Sequence, residues 1–222
     1  MRKLGLLITL FLPWILKRFI LINVFKFKIH PKAYIGLSFI APKVLILEEG
    51  AKIGHFNVAV NLDKIHLGRN SVIGRANWIT GFPTGTDSLH FAHDKLRKSE
   101  LIVGYESSIT KNHHIDCTHQ IRIGNFVTIA GYSSQFLTHS IDLYQNKQDS
   151  HPILIGDYCF ISTKVIVLGN TILPDNSVLT AGALLNKKFE QQWMLYGGVP
   201  AKPLKAITPD AKYFKRSNGF VY

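Results

Sequence analysis

Histidine has the side-chain pKa nearest working pH, so proton-transfer chemistry is sought first among the ten histidines of this 222-residue chain. His139 stands between Thr138 and Ser140, where an apolar repeat gives way to the polar stretch 140–152, SIDLYQNKQDSHP. At the root of a protruding loop, an imidazole is placed to take a proton from an attacking hydroxyl or amine. The alternative role is to pin that loop through its ring nitrogens. A second cluster reads Asn112-His113-His114-Ile115-Asp116-Cys117-Thr118-His119. Ile115 faces inward by phase, so His114 and Asp116 are expected to flank it on the outer face. A carboxylate two residues from a histidine on one face can orient the imidazole and stabilise its charge. His113 and His119 fall at small inward positions, where a histidine fills space poorly. His90 and His93 could also serve, from the irregular stretch 81–100, although exposed loop histidines are usually inert.

The elements that must position these groups are set by a period of six. Ile155, Ile161, Val167, Leu173, Leu179 and Leu185 recur at that interval through Ile155–Lys187. The fifth position of each block (Cys159, Val165, Thr171, Ser177, Ala183) is small or β-branched. Neither the helical period nor strict alternation fits such a run, whereas a stacked coil buries each apolar position on the next turn. The repeat begins near Ile29 and ends at Lys188, interrupted by loops 81–100 and 140–152. At 18 residues per coil, it predicts roughly seven coils. Asn57, Asn61, Asn70 and Asn77 are expected at turns, because asparagine accepts positive φ. A short helical turn is expected near 93–98. Residues 189–222 form a C-terminal tail, expected as a short helix or arm.

Composition bounds the partners. Twenty-six basic residues against 14 acidic give a formal charge of +12, which favours anionic partners. No basic block with interleaved aromatics and no nucleic-acid reader motif is present, so nucleic acid is not expected as a partner. Cys117 and Cys159, the only cysteines, provide neither a disulfide framework nor metal-ligand spacing, and they imply a reducing, cytoplasmic compartment. Residues 1–28 are apolar but broken by Pro13, Lys17 and Arg18, too interrupted for a membrane span. They read as one or two helices lying on an anionic membrane surface, with an end cap on the coil as the alternative.

The repeat resembles that of the hexapeptide-repeat acyltransferases, whose fold is an all-β, left-handed parallel β-helix. His139, its loop, Ile153 to Phe160, Ala181 to Lys187 and Gly198-Val199-Pro200-Ala201-Lys202 follow the order of motifs in the acetyltransferases of galactosides, maltose and xenobiotics. Asn77 to Gly81, the His113 to Cys117 block and Thr138-His139-Ser140 are similar to a subgroup found in surface-polysaccharide biosynthesis. Two departures stand out: Phe160 where the family usually has Trp, and Ala183 where it has Ser.

The resemblance implies a homotrimer with active sites between subunits and acetyl-CoA as the acyl donor. Phe160, Thr163, Ala181, Gly182, Asn186, Lys187 and Lys202 would form the cofactor wall, with no metal. It implies His139 as general base, with His114 and Asp116 as second choice or acceptor-side contributors. A backbone amide near Ser140 is a candidate donor to the oxyanion. The expected acceptor is a sugar hydroxyl of a surface-polysaccharide or lipopolysaccharide precursor, and the expected location the inner face of the cytoplasmic membrane. Three alternatives remain open: an amino-sugar N-acetyltransferase, a β-helix zinc carbonic anhydrase using His114 and His119, and a non-catalytic scaffold.

Overall fold

A computed structural model describes residues 2–221. Short parallel strands stack into seven coils of three strands each, forming a three-sided prism. The first face runs from Lys28–Ile29 to Thr171–Leu173, the second from Tyr34–Ile35 to Val178–Leu179, and the third from Phe39–Ala41 to Leu184–Leu185. Beyond the seventh coil, the second face gains Met194–Gly197 in parallel and Lys202–Ala206 antiparallel to it. The strand arrangement therefore extends into the tail, which ends in a 3-10 turn at Lys212–Lys215. Of the expected short helix or arm, the tail takes the form of an arm, made of this strand pair and turn.

Six-residue periodicity becomes core packing through register. Ile155 pairs with Leu173, Ile161 with Leu179 and Val167 with Leu185, and all six are essentially inaccessible to solvent. The five small positions Cys159, Val165, Thr171, Ser177 and Ala183 are equally buried, and both cysteines are free thiols. Each fully buried aliphatic side chain stabilises the stack by about 1.5–3 kcal/mol relative to exposure.

Corners divide the asparagines into two kinds. Asn61 and Asn70 adopt positive φ, as expected for turns. Asn57 and Asn77 instead turn inward as a buried ladder. Asn57 Oδ1 accepts from the Asn77 backbone N–H at 2.9 Å, and Asn77 Oδ1 accepts from the His113 N–H at 2.9 Å. His113 Nδ1 then accepts from the Ser134 N–H at 3.2 Å. The oddly placed His113 is thus the next rung of a polar stack that satisfies backbone donors where the chain bends. Burial pushes its pKa down to about 4, keeping it neutral.

At the start of the chain, helices α1 (Arg2–Ile8) and α2 (Trp14–Asn23) flank a short 3-10 turn, with Pro13 immediately before α2. Leu6, Leu21 and Phe27 join the hydrophobic core, so the segment caps the first coil. Lys17 is buried and donates to the Gly36 carbonyl at 2.8 Å. Among the described residues, no helix is long and apolar enough to cross a membrane.

The two interruptions differ from their expected forms. Stretch 140–152 is largely a β-hairpin, with His139–Asp142 antiparallel to Lys147–Ser150. Its tip is fixed by Asp142 Oδ1, which accepts from the N–H groups of Tyr144 and Gln145. Stretch 81–100 consists of turns, with no helix near 93–98. It is held by Arg97, whose guanidinium stacks on Phe82 and Phe91 and donates to the carbonyls of Phe82 and Thr118.

Candidate active site

Asp116 ends a third-face strand, His114–Asp116, that is in register with Gln135–Leu137 of the next coil. At this corner strict inside–outside alternation stops, and Ile115, Asp116, Cys117 and Thr118 are all buried. Asp116 is therefore 5% exposed instead of lying on the outer face. Thr138 and His139 follow the adjacent strand around the same corner. His139 Nδ1 lies 2.8 Å from Asp116 Oδ2. Oδ2 also accepts from the Thr138 N–H (3.1 Å) and hydroxyl (3.0 Å), while Oδ1 accepts from the Thr118 hydroxyl (2.7 Å) and N–H (3.2 Å).

Electrostatics follow from this packing. Burial disfavours the Asp116 charge, but the hydrogen bonds from His139, Thr118 and Thr138 outweigh it and hold the carboxyl below its usual range. The hydrogen bond that His139 donates to Asp116 raises the His139 pKa; partial burial opposes this, and the carboxylate's charge adds to the rise. With Nδ1–H committed to Asp116, Nε2 is the basic nitrogen. The imidazole is 47% exposed, so it can reach a bound molecule. This arrangement can accept a proton at Nε2 and stabilise the resulting imidazolium.

His114 occupies the exposed face beside Trp78 and Gln135, and its side chain makes no hydrogen bond among the described residues. The carboxylate expected to serve His114 is thus taken up by His139. His119 is half-buried, and its Nδ1 accepts from the Gln120 N–H at 2.7 Å. Among the described residues, no three His, Cys, Asp or Glu side chains converge to hold a metal ion.

Two groups escaped the sequence reading. Phe91, buried in stretch 81–100, sets its ring edge-on to His139 at 87° with centroids 6.4 Å apart. Arg97 holds Phe91 there. The only sequence signal was that the stretch is long and rich in aromatic and charged residues. Leu89, His90, Phe91, His93, Ile141 and Lys147 line a hollow of about 280 Å³ between this stretch and the hairpin.

The seven cofactor-wall candidates fall into three places. Thr163, Ala181 and Gly182 stack at the corner between second and third faces, where the Gly182 N–H donates to the Thr163 carbonyl at 3.1 Å. A Cβ at Gly182 would meet nothing within 4 Å, so this corner is open. Asn186 and Lys187 are exposed after Leu184–Leu185, at the His139 corner but two coils further on, or about 10 Å. The Gly198–Lys202 segment lies along the same last strand: Leu184 N–H donates to the Gly198 carbonyl and Ala201 N–H to the Leu184 carbonyl. Phe160 is on the second face, where its ring packs against Tyr213 of the tail.

Solved structures with this architecture decide the class. A hexapeptide-repeat-containing acetyltransferase of Vibrio cholerae, VCA0836, is 25% identical over 64% of this chain and 74% of its own, with a TM-score of 0.52. The fold is that of the hexapeptide-repeat acetyltransferases. It is the left-handed parallel β-helix. The polySia-specific acetyltransferase NeuO shares it at 17% identity, covering 84% of this chain and 85% of its own at a TM-score of 0.52. So does the N-acyltransferase AntD of Bacillus cereus, solved with dTDP-4-amino-4,6-dideoxyglucose and coenzyme A, at 14% identity, coverages of 82% and 88%, and a TM-score of 0.54. No protein-family model and no curated protein sequence matches the chain. An acyltransferase is the enzyme class that this hexapeptide-repeat likeness supports.

Proposed function

We propose that this hexapeptide-repeat protein moves an acetyl group from acetyl-CoA to a sugar hydroxyl of a surface-polysaccharide or lipopolysaccharide precursor, with His139 as general base. The buried Asp116 held at 2.8 Å from His139 Nδ1 carries the reading. A scaffold has no need of an imidazole whose outer nitrogen is left bare while its inner one is fixed. His139 Nε2 takes the hydroxyl proton as the oxygen attacks the thioester carbonyl. The tetrahedral intermediate collapses, the C–S bond breaks, and the proton passes from His139 to the departing thiolate. The products are the sugar ester and CoA thiol, and the imidazole is neutral again. Asp116 keeps the Nδ1–H tautomer and stabilises the transient imidazolium.

In a homotrimer, the groove between neighbouring prisms would take CoA. The open corner at Thr163, Ala181 and Gly182 suits the pantetheine chain, while Asn186, Lys187 and Lys202 suit its amides and phosphates. The hollow between stretch 81–100 and the hairpin, adjoining Phe91, is the proposed acceptor side. The cytoplasmic membrane's inner face is the proposed location. An amino-sugar acceptor is the second reading, favoured by the shared architecture with the N-acyltransferase AntD.

Acetyl transfer should be followed by mass spectrometry on O- and N-acceptor glycans, together with calorimetry of CoA binding and metal analysis. His139→Ala should lose about 10²–10⁴-fold in turnover while still binding CoA. Normal turnover by that variant would remove His139 from the reaction. Failure to bind CoA would leave the scaffold reading, and stoichiometric zinc the anhydrase reading.

A further inference from the structure

The N-terminal cap uses only one of its sides to close the β-helix. Leu6, Thr9, Lys17 and Leu21 face the first coil and are buried. The other side is bare and apolar: Ile8, Phe11, Ile15 and Phe19 are each more than 60% exposed, and Ile15 reaches 86%. Soluble monomers rarely keep such large side chains side by side in water, so something covers this surface.

Charge indicates what does. Arg2, Lys3, Lys17, Arg18, Lys26 and Lys28 fall within the first 28 positions, and no acidic residue precedes Glu48. Among these, Arg2, Lys3, Lys26 and Lys28 are exposed. The first carboxylates that follow are engaged elsewhere, Glu48 by His66 and Glu49 by Lys32. A cap with a bare apolar side, built from a basic segment that contains no acid, is complementary to a bilayer whose headgroups are anionic. Lys17 and Arg18 turn inward and donate to the carbonyls of Gly36 and Ile29, and burial lowers the Lys17 pKa to about 8. Arg2 and Lys3 donate to the Lys43 carbonyl and Asn61 Oδ1, which leaves Lys26 and Lys28 as the exposed cations to meet the headgroups.

Position gives the docking a consequence. The cap closes the first coil, whereas His139 follows the third-face strand of the fifth. Four coil steps separate them, or about 20 Å at the spacing of paired strands. We infer that the outer face of α1 and α2 docks on an anionic phospholipid surface and stands the β-helix up from it. The His139 site then faces a lipid-anchored glycan about 20 Å above the headgroups. The docking stands on the cap alone; the choice of acceptor rests on the acyltransferase reading.

The full-length protein should co-sediment with vesicles of phosphatidylcholine plus phosphatidylglycerol, and poorly with phosphatidylcholine alone. The triple variant Phe11→Glu, Ile15→Glu, Phe19→Glu should bind the anionic vesicles at least about tenfold more weakly, with unchanged melting temperature and CoA affinity. Light scattering should give both proteins the same mass. Three results would overturn the docking: no binding by the wild type, equal binding by the variant, or a smaller assembly for the variant, which would make this face a contact between copies. If vesicles bind but CoA does not, the docking stands and the acyltransferase reading fails.

Discussion

Asp116 Oδ2 and His139 Nδ1 are 2.8 Å apart although 23 positions separate them in the chain. Coil stacking makes the contact, because the strands that end beside them are hydrogen-bonded neighbours in register. The pair therefore depends on the fold, and each coil-level interaction that sets this corner bears on His139.

Asp116→Asn tests the division of labour. The amide keeps the shape but cannot stabilise the imidazolium and can favour the wrong tautomer. Turnover should fall by about 10²–10⁴-fold, and the acidic limb of the pH–rate profile should move to lower pH as the His139 pKa relaxes. His114→Ala should retain turnover within about threefold, since its imidazole does not touch Asp116 and losing it uncovers no buried polar group. Equal losses in both variants would bring His114 into the reaction beside the Asp116–His139 pair.

Activity and stability should respond to pH in opposite senses at this pair. The His139 pKa is raised above its ordinary 6.5 by folding, so its stabilising contribution is fully present below 6.5 and lost as pH rises through the folded value. The Asp116 pKa is lowered from 3.8, so its contribution is present above 3.8 and lost as pH falls through the folded value. The pair stabilises most between the two, where both groups are charged, while the proposed general-base role needs neutral His139, so turnover should rise with pH. Melting temperatures of wild type and His139→Ala should differ most between pH 3.8 and 6.5 and converge as pH rises through the raised His139 value.

His113 pulls the other way. Its pKa is 6.5 unfolded and about 4 folded. Between those values the unfolded chain binds the extra proton, so stability falls as pH drops. The difference corresponds to about 3 kcal/mol lost by pH 4. His113→Asn can offer an oxygen to the Ser134 N–H and continue the asparagine ladder without titrating. Urea unfolding from pH 7 to pH 4 should show a shallower loss for this variant.

How much of this could be read in the sequence depends on the range of the interactions. Ile155 to Leu185 declared the coil because each apolar residue repeats the environment of the one six before it. His139 was legible because a loop begins beside it. The Asp116–His139 pairing was not, because the inside–outside rule that placed Asp116 with His114 holds along a strand and fails at the corner where Asp116 turns in. Asn57 and Asn77 were misplaced for a related reason: asparagine suits both a positive-φ turn and a buried ladder, and only the neighbouring coil decides. The cap was legible as helices broken at Pro13, but not which side would be buried, since both sides are apolar. Phe91 and Arg97 carry no periodic signal at all.

Gly169 should be intolerant of any side chain. A Cβ there would sit 2.9 Å from the Thr138 carbonyl oxygen and 3.0 Å from that of His151, both backbone atoms that flank the hairpin. Gly169→Ala must shift the hairpin root that carries His139. The expected result is at least about a tenfold loss in turnover with CoA affinity retained. Gly182→Ala provides the contrast: its site is open, but its φ of +70° makes alanine unfavourable. That variant should cost about 1 kcal/mol of stability with the His139 geometry untouched.

Arg97 is the most exacting test of stretch 81–100. Its guanidinium carbon lies over the rings of Phe82 and Phe91, at 5.6 and 4.9 Å from their centroids, while Nη1 reaches the Phe82 and Thr118 carbonyls. Thr118 also donates to Asp116, so Arg97 touches both the ring that abuts His139 and the residue that steadies its carboxylate. Lysine keeps the charge but loses the planar fork, and it cannot stack and donate to two carbonyls at once. Arg97→Lys should therefore behave nearly as Arg97→Ala, with turnover down by about tenfold and KM for the acceptor raised as the hollow loosens. A positioning role predicts that the pH–rate profile of these variants shifts along with KM. If Arg97 only tied down a loop, proteolysis within 81–100 would speed up while the pH profile stayed fixed. Phe91→Leu, which fills similar space without a ring edge, separates packing from the aromatic contact: it should keep the loop protected and still alter the His139 titration.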